Sequence, residues 1–147
     1  MVNALGRYEF LGIGPAHLRN AMTRNSRADD LEERLVRFAI DIVRLIGQLP
    51  QNFQVRHIAT QLLRSGTAAA PNYGEARAAE SRADFIHKLK IALKELNETA
   101  IWLRIIQGVF TVNADSLTRL AAEKAELCKI LVASIQTARR NNRTDKL

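Results

Sequence analysis

The sequence predicts an all-α chain, an antiparallel up-down-up-down four-helix bundle with an irregular N-terminal leader. Three observations predict it. Aromatic residues make up 5% of the 147 positions and only three prolines and seven glycines interrupt a chain rich in Ala, Leu and Ile, a balance that favours helices over a β-branched, aromatic-rich sheet. Apolar residues recur at helical three-and-four spacing in separate stretches. Helix-breaking residues at Pro50, Pro71 with Gly74, and Gly108 punctuate those stretches. The length is that of one domain and supports a core without disulfide or metal staples.

Residues 1–28 scatter Gly6, Gly12, Gly14, Pro15 and Asn20 among apolar residues without a sustained period and read as the irregular leader. Met22, followed by the polar stretch Thr23 to Asp30, is a natural start ahead of the first helix, so residues 1–21 are expected to be an upstream extension. Helix one follows from Leu31, Leu35, Phe38, Ile42, Leu45 and Leu49, spaced 4, 3, 4, 3, 4. Asp29 or Asp30 is its expected cap and Pro50 its stop. Helix two begins near Asn52, turns Val55, Ile58, Leu62, Ser65 or Gly66, and Ala69 inward, and weakens at Pro71 and Gly74. Its small-residue stretch from Ser65 to Ala70 lets another helix approach closely. Helix three runs from about Ser81, with Asp84 completing a capping arrangement, to Gln107 before Gly108. Its core stripe is Phe85, Leu89, Ala92, Leu93, Leu96, Ala100 and Leu103. Helix four starts near Asp115, capped by it or by Asn113, and buries Leu117, Leu120, Leu127 or Cys128, Leu131 and Ile135. Short connections make neighbours antiparallel. The expected organisation is leader 1–28, bundle 29–138 and basic tail 139–147.

Helix three carries a second row opposite its core stripe: Asp84, His87, Ile91, Glu95, Glu98, Trp102 and Ile105, flanked by Ile101 and Ile106. A solvated face does not ordinarily hold a tryptophan and isoleucines in register, so Ile91, Glu95, Glu98, Ile101, Trp102 and Ile105 are the expected oligomer interface. The alternative is that the leader or tail folds back over them.

The net charge is +7. Residues 1–28 contribute +3, from Arg7, Arg19, Arg24 and Arg27 against Glu9. Residues 139–147 contribute another +3, from Arg139, Arg140, Arg143 and Lys146 against Asp145, leaving +1 for the body. Within the body, Arg82, Lys90, Lys94 and Arg104 share one arc of helix three. These eight cations are the candidate nucleic-acid contacts, although solvated tails are the ordinary reading of basic ends.

Catalytic chemistry is not expected, nor are a metal, a cofactor or a small-molecule substrate. A di-iron bundle needs Glu-x-x-His pairs, and His17, His57 and His87 each lack a Glu three positions before. Gly12-Ile13-Gly14 lacks the third glycine and the strand of a dinucleotide fingerprint. Cys128, the single cysteine, reads as a small buried hydrophobe in a cytoplasmic setting rather than a nucleophile. A helix-turn-helix at Ile58 to Ala76 fails, because Leu62 stands where a small residue belongs and Asn72 where an apolar one does. No run is long and apolar enough for a membrane span.

The run Arg56-His57-Ile58-Ala59-Thr60-Gln61-Leu62-Leu63-Arg64-Ser65-Gly66-Thr67, then Asn72-Tyr73, Glu75-Ala76, Phe85-Ile86-His87-Lys88-Leu89 and Leu93-Lys94-Glu95 to Trp102-Leu103, resembles the four-helix bundle proteins known as 23S rRNA-intervening sequence proteins. The resemblance spans about residues 31–137. Pro71 and Gly74 depart from the family's more usual Ala and Arg, and the leader before Met22 has no counterpart in it. The resemblance implies a bacterial up-down-up-down bundle that assembles with copies of itself, pentameric rings being known in the family. It also implies a relative's role in binding nucleic acid and a reverse transcriptase through a basic ring. Family members share polar positions matched by Arg64, Asn72, Tyr73, Glu75, Arg82 and Glu95, read most simply as ion pairs and caps that set helix register. The expected function is a non-enzymatic homo-oligomer associating with RNA or a ribonucleoprotein; the alternative is a structural or protein-binding scaffold that binds no nucleic acid.

Overall fold

A computed structural model of the chain describes residues 15–144, with side chains over 27–140. It is all-α, with four helices and no strand among the described residues: α1 Pro15–Gly47, α2 Phe53–Arg77, α3 Arg82–Val109 and α4 Ala114–Thr144. The chain divides into two compact units, Met1–Leu31 and Glu32–Leu147.

In the first unit the expected irregular leader is corrected from Pro15 onward. Proline suits the first helical position, where its missing N–H has no intrahelical partner, and no glycine or proline follows it until Gly47. Ala16, Leu18, Arg19, Ala21 and Met22 then propagate the helix. Asp29 and Asp30 therefore stand inside α1 rather than at its N-terminus. The earlier leader residues, 1–14, lie outside the described residues.

In the second unit each helix meets the next, and α4 returns to α1. The predicted seam of the first helix within it, Leu35, Phe38, Ile42 and Leu45, is buried, as is Leu49 just past the helix end; Leu31, the last residue of the first unit, is buried too. Ile42 packs on the backbone of Gly66 so closely that a Cβ built there would lie 2.7 Å from its Cγ2. That is the close approach expected of the small residues in α2. Glu32 of α1 pairs with Arg77 of α2. Between α2 and α3, Arg64 pairs with Glu98 at 2.9 Å and Lys88 with Glu75 at 2.5 Å, so these two helices run in opposite directions. Asn97 of α3 accepts from Lys124 of α4 at 2.9 Å. Arg34 of α1 donates twice to the Glu123 carboxylate of α4, at 2.8 and 2.9 Å.

Three side-chain caps start the later helices. Asn52 accepts from the Val55 N–H at 2.9 Å, Ser81 from Asp84 at 3.1 Å, and Asn113, rather than Asp115, from Ser116 at 3.1 Å. The expected break at Pro71 and Gly74 does not form. α2 continues through Pro71 and Gly74 to Arg77. A proline inside a helix costs about 3 kcal/mol, but burial of one large side chain returns about 1.5–3 kcal/mol, and Ala69, Tyr73 and Ala76 are all buried around it. α3 ends at Val109, one residue past the expected stop at Gly108, where the Phe110 N–H reaches the Ile106 carbonyl at 2.9 Å. The expected tail is also helical: α4 runs to Thr144 through Arg139 and Arg140, good helix formers, and residues 145–147 lie outside the described set.

The core stripe of α3 is rotated from its expected position. Leu89, Ala92, Leu96 and Leu103 are buried as expected, but Thr99 and Ile106 are fully buried while Phe85, Leu93 and Ala100 are only half-buried. Thr99 is tolerated because its hydroxyl donates to the Glu95 carbonyl at 2.8 Å and lies 3.2 Å from the Ser65 hydroxyl, leaving no buried polar atom unpaired.

Candidate interaction surfaces

The second row of α3 does not stand free in solvent: α2 flanks it. Ile91, Glu95, Glu98, Trp102 and Ile105 are half-buried. Glu98 holds Arg64 and accepts from the Trp102 indole N–H at 3.3 Å, while the His57 ring meets the indole edge-on, with centroids 6.4 Å apart. Ile106, read as flanking this surface, belongs to the core. Ile101 remains outside and is 57% exposed. At the same end, Phe53 is 83% exposed and Val109 61%. Of the polar positions, Arg64 and Glu75 tie α2 to α3; Asn72 donates back to the Ala68 carbonyl at 2.8 Å; Tyr73 is buried.

A different surface lies on α3 and α4. Lys90, Asn97 and Arg104 are seven residues apart, two turns each, and so form one row facing the α4 side. Asn97 receives Lys124, an ammonium positioned by a neutral oxygen, and Cys128 one turn further on lies 3.9 Å from the same oxygen. Arg139 follows Cys128 by eleven residues, three turns. Among the described residues, Lys90, Arg104 and Arg139 have no carboxylate partner, and Lys94 only touches its neighbour Glu95 at 3.7 Å. Many cations elsewhere are neutralised in place: Arg34 by Glu123, Arg37 by Glu33, Arg44 by Asp41, Arg64 by Glu98, Arg77 by Glu32, Lys88 by Glu75; Arg56 of α2 has no carboxylate partner among the described residues, and Arg119 of α4 reaches only the Ser116 hydroxyl. Lys90, Arg104 and Arg139 thus line up as unpaired charge on the α3–α4 side. Arg82 stands at the first position of α3, away from this row, and the side chains of Arg143 and Lys146 lie outside the described residues. Cys128 is half-buried rather than in the core, and burial pushes its thiol above the ordinary range.

On the opposite flank, α1 presents Val36, Ile40 and Val43, spaced 4 and 3, at 39%, 42% and 49% exposure. Leu63 of α2 adds another 42%-exposed side chain and lines a shallow pocket with Ile46 and Ala59. This stripe went unread in the sequence, although the reasoning that found the second row of α3 applies to it equally. Lys124 had no such signal, because only the fold brings Asn97 opposite it. Between α1 and α4 a groove of about 970 Å³ carries Arg34, Arg37, Arg44 and Arg119 with Asp41, Glu123 and Glu126. There the hydrogen bonds to Glu123 hold the Arg34 guanidinium above its usual pKa, and the groove is largely self-neutralised. Among the described residues no three His, Cys, Asp or Glu side chains gather to hold a metal, and no helix is long and apolar enough to cross a membrane.

The family model described as 23S rRNA-intervening sequence protein matches residues 17–133. The chain belongs to this family. The match begins ahead of Met22, so part of the stretch thought to lack a counterpart has one. A crystal structure of a protein of unknown function from the S23 ribosomal protein family of Bacteroides thetaiotaomicron is 35% identical, covers 74% of this chain and 97% of its own, and superposes with a TM-score of 0.68. No curated protein matches.

Proposed function

We propose that this family member is a non-enzymatic, cytoplasmic, homo-oligomeric up-down-up-down bundle that holds RNA or a ribonucleoprotein on the basic side formed by α3 and α4. The row of Lys90, Arg104 and Arg139, none with a carboxylate partner, together with Lys124 on a neutral oxygen and Lys94 only touching Glu95, carries the reading. Phosphates are attracted by cations that no carboxylate has neutralised, whereas an arginine already held by Glu or Asp must lose that partner first. The opposed register of Arg64–Glu98 and Glu75–Lys88, and of Ile42–Gly66 and Glu32–Arg77, supports the up-down path. Repetition of the basic side around an oligomer, pentameric in the reading from family resemblance, multiplies a contact that is weak in one copy.

Anisotropy of labelled RNAs at about 50 mM salt and above is the test, since electrostatic binding is strongest at low salt. Binding is expected with little sequence preference. Replacing Lys90, Arg104 and Lys124 by Gln should flatten the salt slope by about 2–3 per bound subunit and weaken all sequences alike. Replacing Arg37 and Arg44, already paired, should change little. Absence of binding by the intact protein at low salt rejects the RNA reading.

A further inference from the structure

Resting on the RNA reading of the α3–α4 side, we infer that the RNA held there is double-stranded, contacted through the phosphates of both backbones, and not a single strand with splayed bases. Sequence-tolerant binding of a single strand uses aromatic side chains on which successive bases stack. α4 has none in its 31 residues. The described aromatics lie elsewhere. Phe38 and Tyr73 are buried, Phe53 begins α2, and Phe110 follows α3 in the turn beyond Arg104. Phe85, five residues before Lys90, stands about 140° around α3 from it. Trp102 is turned to the α2 flank, where it donates to Glu98 and meets His57.

The two helices also fix where the charge stands. Lys90 and Arg104 are 14 residues apart on α3, about 21 Å. Lys124 and Arg139 are 15 apart on α4, about 22 Å. Packed helix axes lie about 8–10 Å from each other, so these cations form two rigid lines. A duplex already holds its phosphates in two fixed strands and is read by its shape and backbone. A single strand must first be ordered, and on this face its bases gain no stacking in return.

Carboxylates are kept off this face, so neither backbone of a duplex is repelled. Asp84, Glu95 and Glu98 of α3 stand in the row beside α2, where Glu98 holds Arg64. Glu123 and Glu126 of α4 line the groove with α1. Asp115 precedes Glu126 by eleven residues, three turns, and so shares its row. Between Cys128 and Arg139 the same face carries Val132, 39% exposed and two turns before Arg139, a neutral position at which a charge can be introduced.

Anisotropy with the full chain at one salt concentration compares a labelled RNA duplex of about 20 base pairs, longer than the roughly 16 that a compact double-stranded-RNA reader spans, with each of its strands alone, chosen to be unstructured. The duplex should bind about tenfold tighter or more, the equivalent of one stacking contact that the face does not offer a single strand. Its salt slope should be about 0.9 per phosphate contact, against about 0.7 for a single strand. The fluorescence of Trp102, the only tryptophan, should not change when unlabelled duplex is added. Val132→Glu places a carboxylate in the row of Arg139 and should weaken duplex binding several-fold, while Val132→Gln does not. Gln136→Glu, one turn further along α4, repeats the test should Val132→Glu lose its circular dichroism. Single strands that bind as tightly as the duplex, or that quench Trp102, overturn the inference and leave the RNA reading standing. Duplex binding that the introduced carboxylate leaves unchanged overturns the assignment to this face. Binding of neither form at low salt rejects the RNA reading itself.

Discussion

The α1–α2 seam and the α3–α4 seam solve the same packing problem differently. Between α1 and α2 the helices meet through a glycine: Ile42 occupies the space that a side chain at position 66 would need, and the outside carries the apolar Val36, Ile40, Val43 and Leu63. Between α3 and α4 the link at the edge is polar, Asn97 bridging to Lys124 with Cys128 beside it, and the outside is cationic and unpaired. Leu89, Leu96, Leu127 and Leu131 fill the interior equally well on that side. The core therefore does not distinguish the seams. Their rims do, and the rims are what other molecules meet.

The largest effect should come from emptying the tight seam. Ile42→Ala removes a fully buried side chain and is expected to cost about 2–5 kcal/mol in urea unfolding; a loss under about 1 kcal/mol would mean that α1 is not seated on Gly66. Next comes overfilling. Gly66→Val should cost about 1–3 kcal/mol, since the Cβ alone would already lie 2.7 Å from Ile42 Cγ2. Gly74 in the same helix has nothing within 4 Å of a Cβ, so Gly74→Ala should stabilise by about 0.5–1 kcal/mol. If the two glycines respond alike, propensity rather than close approach governs α2. The smallest effect should be at the polar seam. Asn97→Ala removes a hydrogen bond near the surface and is expected to cost about 0.5–1.5 kcal/mol, with the charge at Lys124 retained and RNA affinity held within a few-fold.

Much of the bundle was legible because burial on a helix is periodic. The spacing of Leu31 through Leu49 located the face of α1, and Asn52, Ser81 and Asn113 announced helix starts through the short side chains that satisfy free N–H groups. Pro71 misled because intrinsic propensity is worth a few kcal/mol at most, and buried neighbours such as Tyr73 override it. At the candidate surfaces, the second row of α3 was found from composition in register, but its partial cover was not. Periodicity says that a face is apolar; it does not say which neighbouring helix lies along its edge.

The sequence by itself determined the helical class, the number of strong helices, the inward residues of α1 and the net positive charge, all of which depend on residue type and on spacing within one segment. Only the tertiary structure decided which cations remain unpaired. Arg64 and Glu98 are 34 residues apart, Arg34 and Glu123 are 89 apart, and Lys124 finds a neutral partner at Asn97. Whether a charge is cancelled by a carboxylate or left to attract a phosphate depends on the distance between side chains on different helices, and that distance exists only once the helices have packed.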